Sequence, residues 1–589
     1  MAVETGAEAA RPADVGLRRE IGLIGATWAS ETSIIGSGWL FGALFATQAA
    51  GPAALYGWVI GGACVIVLAL LHAELGGMYP IAGGTARFPH LAYGSVAGIS
   101  FGFFSWLQAV TVAPVECFAV MTYGSYYWHS LINAQGHITT TGFIATIVLM
   151  AIFTAVNFLG VRLFSRVNSA ITWWKVAIPV LPIIILFFHF HSGNFSPPGG
   201  FMPNGIKAVF AAIPSAGIVF AYLGFEQADQ LAGEIKNPAK NLPRAIIIAI
   251  LLGTAIYILL QVVFIGAMPP DQLTKGFGGI TNTEILNGPF AAVAALSGRG
   301  LWATILRIDA FVSPFGTGLI YQTSTSRVGY GLARNRYFPQ IFQSVDRRGV
   351  PWFSLIMAFV FGLFFLLPFP SWQSLVGLIT SASVLMYAGA PLSLGAFRSK
   401  LPDATRPYAV PVAAFLSPLG FIICSMLIYW SGFVIVWKLG VCLVIGYILI
   451  GIAMVFDAQR PKLQFKSAQW LLPYLIGMGI ISWLGQFPLK GDGGAPPLNT
   501  FHIPFWWDIL IVVVFSLVIY YWAMYTGLTR EETLELVAAQ SGQEELPDTG
   551  LHHCARRADQ ARVAPSRAGP PGFLLEAGRG EAARPVPSK

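Results

Sequence analysis

Charge is scarce in this chain. Of its 589 residues, 35 are Lys or Arg and 27 are Asp or Glu, so 11% are charged against 55% hydrophobic, with a mean hydropathy of +0.66. A water-soluble globule of that composition would expose a grossly apolar surface, which excludes a single soluble domain. Cysteine is scarce too. Cys64, Cys117, Cys424, Cys442 and Cys554 show neither pairing nor metal-ligand spacing, so no disulfide framework is expected and they read as small apolar side chains. His72, His129, His189 and His191 are scattered over the ends of apolar runs without a His-Glu-x-x-His pattern, and no Walker phosphate loop occurs. An enzyme is therefore not expected, nor a metal site or a cofactor.

What the chain has in abundance is long apolar runs. About fourteen windows of roughly 18–25 residues, each enough to cross a ~30 Å hydrocarbon core, recur along nearly its whole length. The first, over residues 20–47, is too long and too interrupted for a cleaved leader. Basic residues collect in alternate loops: Arg11, Arg18 and Arg19; Arg87; Arg162 and Arg166; Lys236, Lys240 and Arg244; Arg327 to Arg348; Arg398, Lys400 and Arg406; Arg460, Lys462 and Lys466; Arg530. The opposite loops hold only Lys207, Lys275, Arg299 and Lys490. Because basic loops resist translocation, both termini are expected on the cytoplasmic side of a cytoplasmic (inner) membrane. The formal charge of +8 thus reflects topology and contact with anionic lipid rather than binding to nucleic acid. Residues 1–19 read as a cytoplasmic tail, and residues 527–589, charged and then rich in Ala, Arg, Gly and Pro, as a second tail expected to lack fixed structure.

The first window carries an anomaly: Trp28–Phe45 reads WASETSIIGSGWLFGALF, with Gly36-Ser37-Gly38 at its centre. In hydrocarbon every backbone N–H and C=O needs a partner, so unwound backbone at membrane depth is tolerable only where it lines a cavity or meets a ligand. Glycine permits the unwinding and lets a ligand approach the chain. A fresh helix starting near Trp39 would then offer free N–H groups and a positive dipole end, which suit a carboxylate. The bland alternative is close packing of small residues between helices. A second interrupted window favours the first reading: Ala211–Pro238 contains Pro214, Gly217 and Gly224, with Glu226 and Asp229 in its later half. Windows one and six are corresponding members of two five-helix halves, the pattern of an inverted-repeat transporter. The expected organisation is a first repeat over 20–191, an inverted second repeat over 206–396, and accessory spans over 411–526.

Four segments in order, IIGSGWLFG (Ile34–Gly42), AELGGMYPIAGGTARF (Ala73–Phe88), FAYLGFEQADQLAGEIKNPAKNLPRAI (Phe220–Ile246) and STSRVGYGLARNRYFPQIF (Ser324–Phe342), resemble those of the amino acid-polyamine-organocation (APC) permeases, most closely the bacterial aspartate-proton symporter branch. The resemblance implies an all-α integral membrane fold with a leucine-transporter-like core and broken helices one and six. It also implies a substrate site, Gly36 included, in which Ser37 and Gly38 bind the substrate carboxylate, while the carbonyls of Ile34, Phe220 and Leu223 receive the α-ammonium. Phe220, Tyr222 and Phe225 would form an apolar gate or wall.

Ionisable groups at membrane depth are costly and so are functional candidates. They are Glu31, Glu116, Lys175, Glu226, Asp229, Arg307, Asp309 and Lys438. Lys175 is the favoured proton-coupling group, because burial disfavours its charged form and makes loading and releasing a proton feasible; the resemblance gives a lysine in span five that role. Its alternative is snorkelling to the nearby interface. Glu226 and Asp229 are gate or proton-relay candidates that would otherwise pair with Lys236 or Lys240. Arg307 is a candidate counterion for an acidic substrate side chain, or else a structural partner of Glu116 or Glu31. Ser313 and Thr317 carry oxygens suited to sodium, although nothing in the sequence demands that ion. The expected function is import of an amino acid, with aspartate as candidate, together with a proton by alternating access. The rivals are an exchanger of amino acids or amines and, further off, a receptor that binds amino acid and moves none.

Overall fold

Runs this apolar cannot satisfy their backbone through side chains or water, and a helix satisfies it internally. In the computed structural model, which describes residues 21–80, 84–133, 136–159, 161–367, 371–456, 461–487 and 503–541, the named elements are accordingly helices. They run α1 (Leu23–Ile34), α2 (Ser37–Ala50), α3 (Ala54–Met78), α4 (Gly84–Gly124), α5 (Thr140–Phe158), α6 (Val161–Phe187), α7 (Gly205–Ser215), α8 (Ile218–Tyr222), α9 (Gln227–Gln230) and α10 (Pro238–Ala267). There follow α11 (Thr283–Asn287), α12 (Pro289–Leu296), α13 (Gly300–Arg334), α14 (Trp352–Leu366), α15 (Trp372–Lys400), α16 (Ala413–Trp430), α17 (Phe433–Phe456), α18 (Leu471–Leu484), α19 (Phe505–Thr526) and α20 (Arg530–Ser541). Among the described residues ten helical stretches are long and apolar enough to cross a membrane, and shorter apolar helices, α7 and α14 among them, accompany them. The expectations placed on residues 1–19, on the chain beyond 541, and on Arg11, Arg18, Arg19, Arg460, Lys490 and Cys554 lie outside the described residues, as do the side chains of Arg162 and Arg166.

Each expected window coincides with a helix or a group of helices, and the departures have local causes. The first window is cut between Ile34 and Ser37, and the sixth is cut twice. The apolar run over 288–322, long enough to read as one span, is the short α12 followed by a turn and then α13, which continues to Arg334. Gly298, at φ +73°, supplies that turn at no steric cost. The 41 residues of α4 would span ~60 Å as one rod, twice a bilayer core. It is two helices, separated at Gly94 by a non-helical φ of 77° and ψ of −161°. Within α4, Gly98–Gly102 spells Gly-x-Ser-x-Gly, yet it is ordinary helix with Ser100 Oγ donating to the Val96 carbonyl at 2.9 Å, so no nucleophile elbow stands there.

The windows of α4 and α15 are almost wholly inside the bundle, whereas α5, α17 and α19 bury less than a third of theirs, as lipid-facing helices do. One buried acid inside the bundle is fully matched by partners. Glu74 of α3 is fully buried and accepts from Arg398 Nε and Nη2 at 2.8 and 2.6 Å, from Arg406 Nε at 3.1 Å and from the Val410 N–H at 2.7 Å, which seats the α15–α16 connection on α3. At the same end of the molecule, the Ile21 N–H donates to the Glu234 carbonyl at 2.9 Å and the Lys236 N–H donates back to the Ile21 carbonyl at 2.7 Å. Glu234 also accepts from Arg327 Nε of α13 at 2.9 Å.

Candidate functional site

The first break follows from Gly36. Helix α1 ends at Ile34, Ile35 takes φ −84° and ψ 79°, and Gly36 is extended at φ −115° and ψ −143° before α2 begins at Ser37. A Cβ on Gly36 would lie 2.7 Å from Glu116 Oε1 and 2.8 Å from Thr317 Oγ1, so only glycine admits these two groups against the chain. The second break needs positive φ twice, at Gly217 (88°) and Gly224 (117°), on either side of α8. Pro214 is not itself a break: it lies within α7, one residue before the helix ends at Ser215.

The two breaks cross. A Cβ on Gly38 would meet Ala221 Cα at 2.7 Å, and one on Gly224 would meet Ser33 Cβ at 2.5 Å. Backbone therefore lies on backbone at both ends of the crossing. Between them is a cavity of about 10 Å³ whose walls include Ile34, Gly36, Gly38, Phe220 and Leu223, together with Val112, Glu116, Thr317 and Tyr321. That is roughly the room one water molecule needs, so the conformation is closed.

The polar groups at the first break are already engaged. The Ser37 N–H donates to Glu116 Oε2 at 2.8 Å, and the Ser37 hydroxyl donates to Glu116 Oε1 at 3.1 Å while accepting from Trp372 Nε1 at 3.0 Å. The Ile34 carbonyl accepts from the Tyr257 hydroxyl at 2.7 Å. Lys175 is fully buried, which removes the snorkelling alternative: its Nζ donates to the Thr32 carbonyl and, at 2.6 Å, to Thr317 Oγ1. Thr317 in turn donates to the Thr32 carbonyl at 2.9 Å. Three buried carboxylates, Glu116, Asp309 and Glu31, act electrostatically on this single cation. Asp309 accepts from Trp174 Nε1 and Ser313 Oγ, both at 2.8 Å, and neither Glu31 oxygen has a hydrogen-bond partner.

The other expected residues divide. Tyr222 packs on Trp58 and Tyr257 and donates to the Trp58 carbonyl at 3.2 Å, away from the cavity. Phe225 stacks on Tyr387, with ring centroids 4.9 Å apart, one turn further along. Glu226 accepts from the Gly224 N–H at 2.9 Å and the Tyr387 hydroxyl at 2.6 Å, rather than pairing with Lys236 or Lys240. Asp229 is buried against the position a Gly76 Cβ would take, and both its oxygens are without a hydrogen-bond partner. Arg307 is not brought to the breaks. Its guanidinium lies over the Tyr126 ring at 3.8 Å from the centroid, and it makes no ion pair with Glu116 or Glu31.

Sequence reasoning missed Tyr257, Trp372 and Tyr321. An aromatic residue in an apolar span gives no sign of which way it points, although Ser371 and Ser374, which form the capping box that starts α15 beside Trp372, were readable as a helix start.

Residues 21–481 match the family model described as Amino acid permease. The chain is 37% identical over 503 residues to the aspartate-proton symporter of Bacillus subtilis (strain 168), a match covering 85% of this chain and 94% of that protein. It is 36% identical over 533 residues to the glutamate/serine transporter AimA of the same organism, covering 87% and 95%. Identity to the branched-chain amino acid permease BcaP, also from that organism, is 26% over 462 residues, covering 75% and 94%.

Proposed function

The chain belongs to the amino acid permease family, a family of multi-pass membrane transporters and not of enzymes, and from that premise we propose that it imports an acidic amino acid, aspartate first, together with a proton. The observation that carries the reading is the crossing of the two helix breaks around one small cavity, with a fully buried lysine anchored on the first break. A zwitterion needs donors at one pole and acceptors at the other. The Ser37 end of α2 supplies the donors, and the Ile34, Phe220 and Leu223 carbonyls supply the acceptors. Phe220 and Trp372, edge to face at 5.7 Å, close the cavity over the site.

Lys175 is the proton carrier in this reading. In its charged form it tethers Thr32 and Thr317 across α1 and α13; on losing the proton it loses one donor and the attraction of the three carboxylates, which frees the two helices to part. The protein lies in the bacterial cytoplasmic membrane with its termini inside, and residues 20–191 and 206–396 act as inverted repeats around the site, with 411–526 as accessory spans. Arg307 has no part in binding the substrate. Labelled aspartate uptake into proteoliposomes with and without an imposed pH gradient tests this: symport accumulates aspartate only with the gradient. Uptake that depends on preloaded amino acid and ignores the gradient makes the protein an exchanger instead.

A further inference from the structure

Glu116 comes from α4, outside both breaks, and the reading above uses it only as one of the three carboxylates that attract Lys175. Its side chain is almost fully buried, and its two oxygens take the N–H and the hydroxyl of Ser37. These are the two groups that the proposed function, on which this inference rests, assigns to the substrate's carboxylate. We propose that Glu116 is an internal stand-in for that carboxylate: it caps α2 while the site is closed and must be displaced when an amino acid binds.

Three observations support the displacement. The chemistry is the same, a carboxylate on the first N–H and the hydroxyl of one helix end. One N–H cannot serve two carboxylates at 2.8 Å, and the adjoining cavity of about 10 Å³ admits no amino acid while Glu116 forms part of its wall. The approach is also built in, because the glycine at position 36 leaves the space that Glu116 Oε1 and Thr317 Oγ1 enter. Thr317 receives the Lys175 ammonium, so a released Glu116 has that cation on the far side of the hydroxyl beside it. Arrival of substrate thereby turns a capped helix end and a separate lysine into a bound zwitterion and a carboxylate–lysine neighbourhood. The other charged groups around that lysine are Glu31 of α1 and Asp309 of α13.

An internal competitor lowers apparent affinity by the fraction of molecules in which it is out of the way. Glu116→Gln keeps the volume but loses the charge-assisted half of both bonds, so purified protein should bind labelled L-aspartate roughly threefold to tenfold more tightly than wild type. L-glutamate and L-serine are run in parallel. A second arm needs no substrate: in Glu116→Ala, acetate should raise the thermal unfolding temperature relative to chloride at equal ionic strength, by filling the vacated cap. Wild type and Glu116→Gln, whose cap is occupied, should show no such rise. Unchanged or weaker binding by Glu116→Gln, or a folded Glu116→Ala indifferent to acetate, overturns the proposal. If wild type binds none of the three amino acids, the substrate reading fails while the acetate arm still judges the cap; if Glu116→Ala does not fold, Glu116→Gln decides.

Discussion

The contact between Gly38 and Ala221 can be tested by adding one methyl group. In Gly38→Ala the new Cβ would stand 2.7 Å from Ala221 Cα and 2.9 Å from Ala221 Cβ. Carbon atoms settle at ~3.5–4.0 Å, and both partners are fixed to the α8 backbone, so no rotamer change relieves the clash and the broken helices must part by about 1 Å. Overpacking of this kind costs ~1–3 kcal/mol. Falling on the closed conformation, that cost shifts its population about 5- to 150-fold against conformations in which α2 and α8 are apart. Initial-rate aspartate uptake by proteoliposomes should drop by a factor within that range, with a lower unfolding temperature. Gly440→Ala in α17 and Gly479→Ala in α18 are controls, since nothing lies within 4 Å of either new methyl. They should transport normally. Wild-type uptake by Gly38→Ala would refute the argument that these spans must touch backbone to backbone for the cycle to run.

Three further outcomes follow from the same geometry. Lys175→Ala should abolish gradient-driven accumulation of aspartate while sparing exchange of preloaded for external substrate; normal accumulation would remove Lys175 from coupling. Arg307→Ala should leave the KM for aspartate unchanged, because the guanidinium rests on Tyr126 away from the cavity, and a large rise in KM would return it to the site. Glu74→Gln removes the charge facing Arg398 and Arg406, and breaking such a buried group costs ~3–5 kcal/mol, here toward the lower end because Arg398 is one-third exposed. Thermal unfolding should show it as a clear fall in midpoint, with Glu74→Asp intermediate.

The arrangement of helices was largely legible because hydropathy and glycine placement act locally. Gly36, Gly217 and Gly224 mark positions where the chain leaves helical geometry, and any sequence shows them. Rotation about a helix axis does not show. Arg307 and Lys175 both read as lone cations in apolar spans, yet one faces an aromatic ring near the bundle's edge and the other faces the first break. Phe225 is likewise separated from Phe220 by the irregular backbone around Leu223 and Gly224, while Tyr222, two residues after Phe220 in α8, turns to Trp58 and Tyr257, so a motif contiguous in sequence is divided in space. Glu116 was readable as a costly buried acid, but its partner Ser37 is 79 positions away.

The paired hydrogen bonds that join Ile21 to Glu234 and Lys236 splice the entry of the first span to the exit of the sixth. Peptide groups make that splice, so it is indifferent to side-chain identity and survives most substitutions. Two such bonds would have to be surrendered together for one broken span to swing without the other. Whatever motion opens that end of the protein therefore carries both half-helices as a single lever, with its fulcrum at the glycine crossing above.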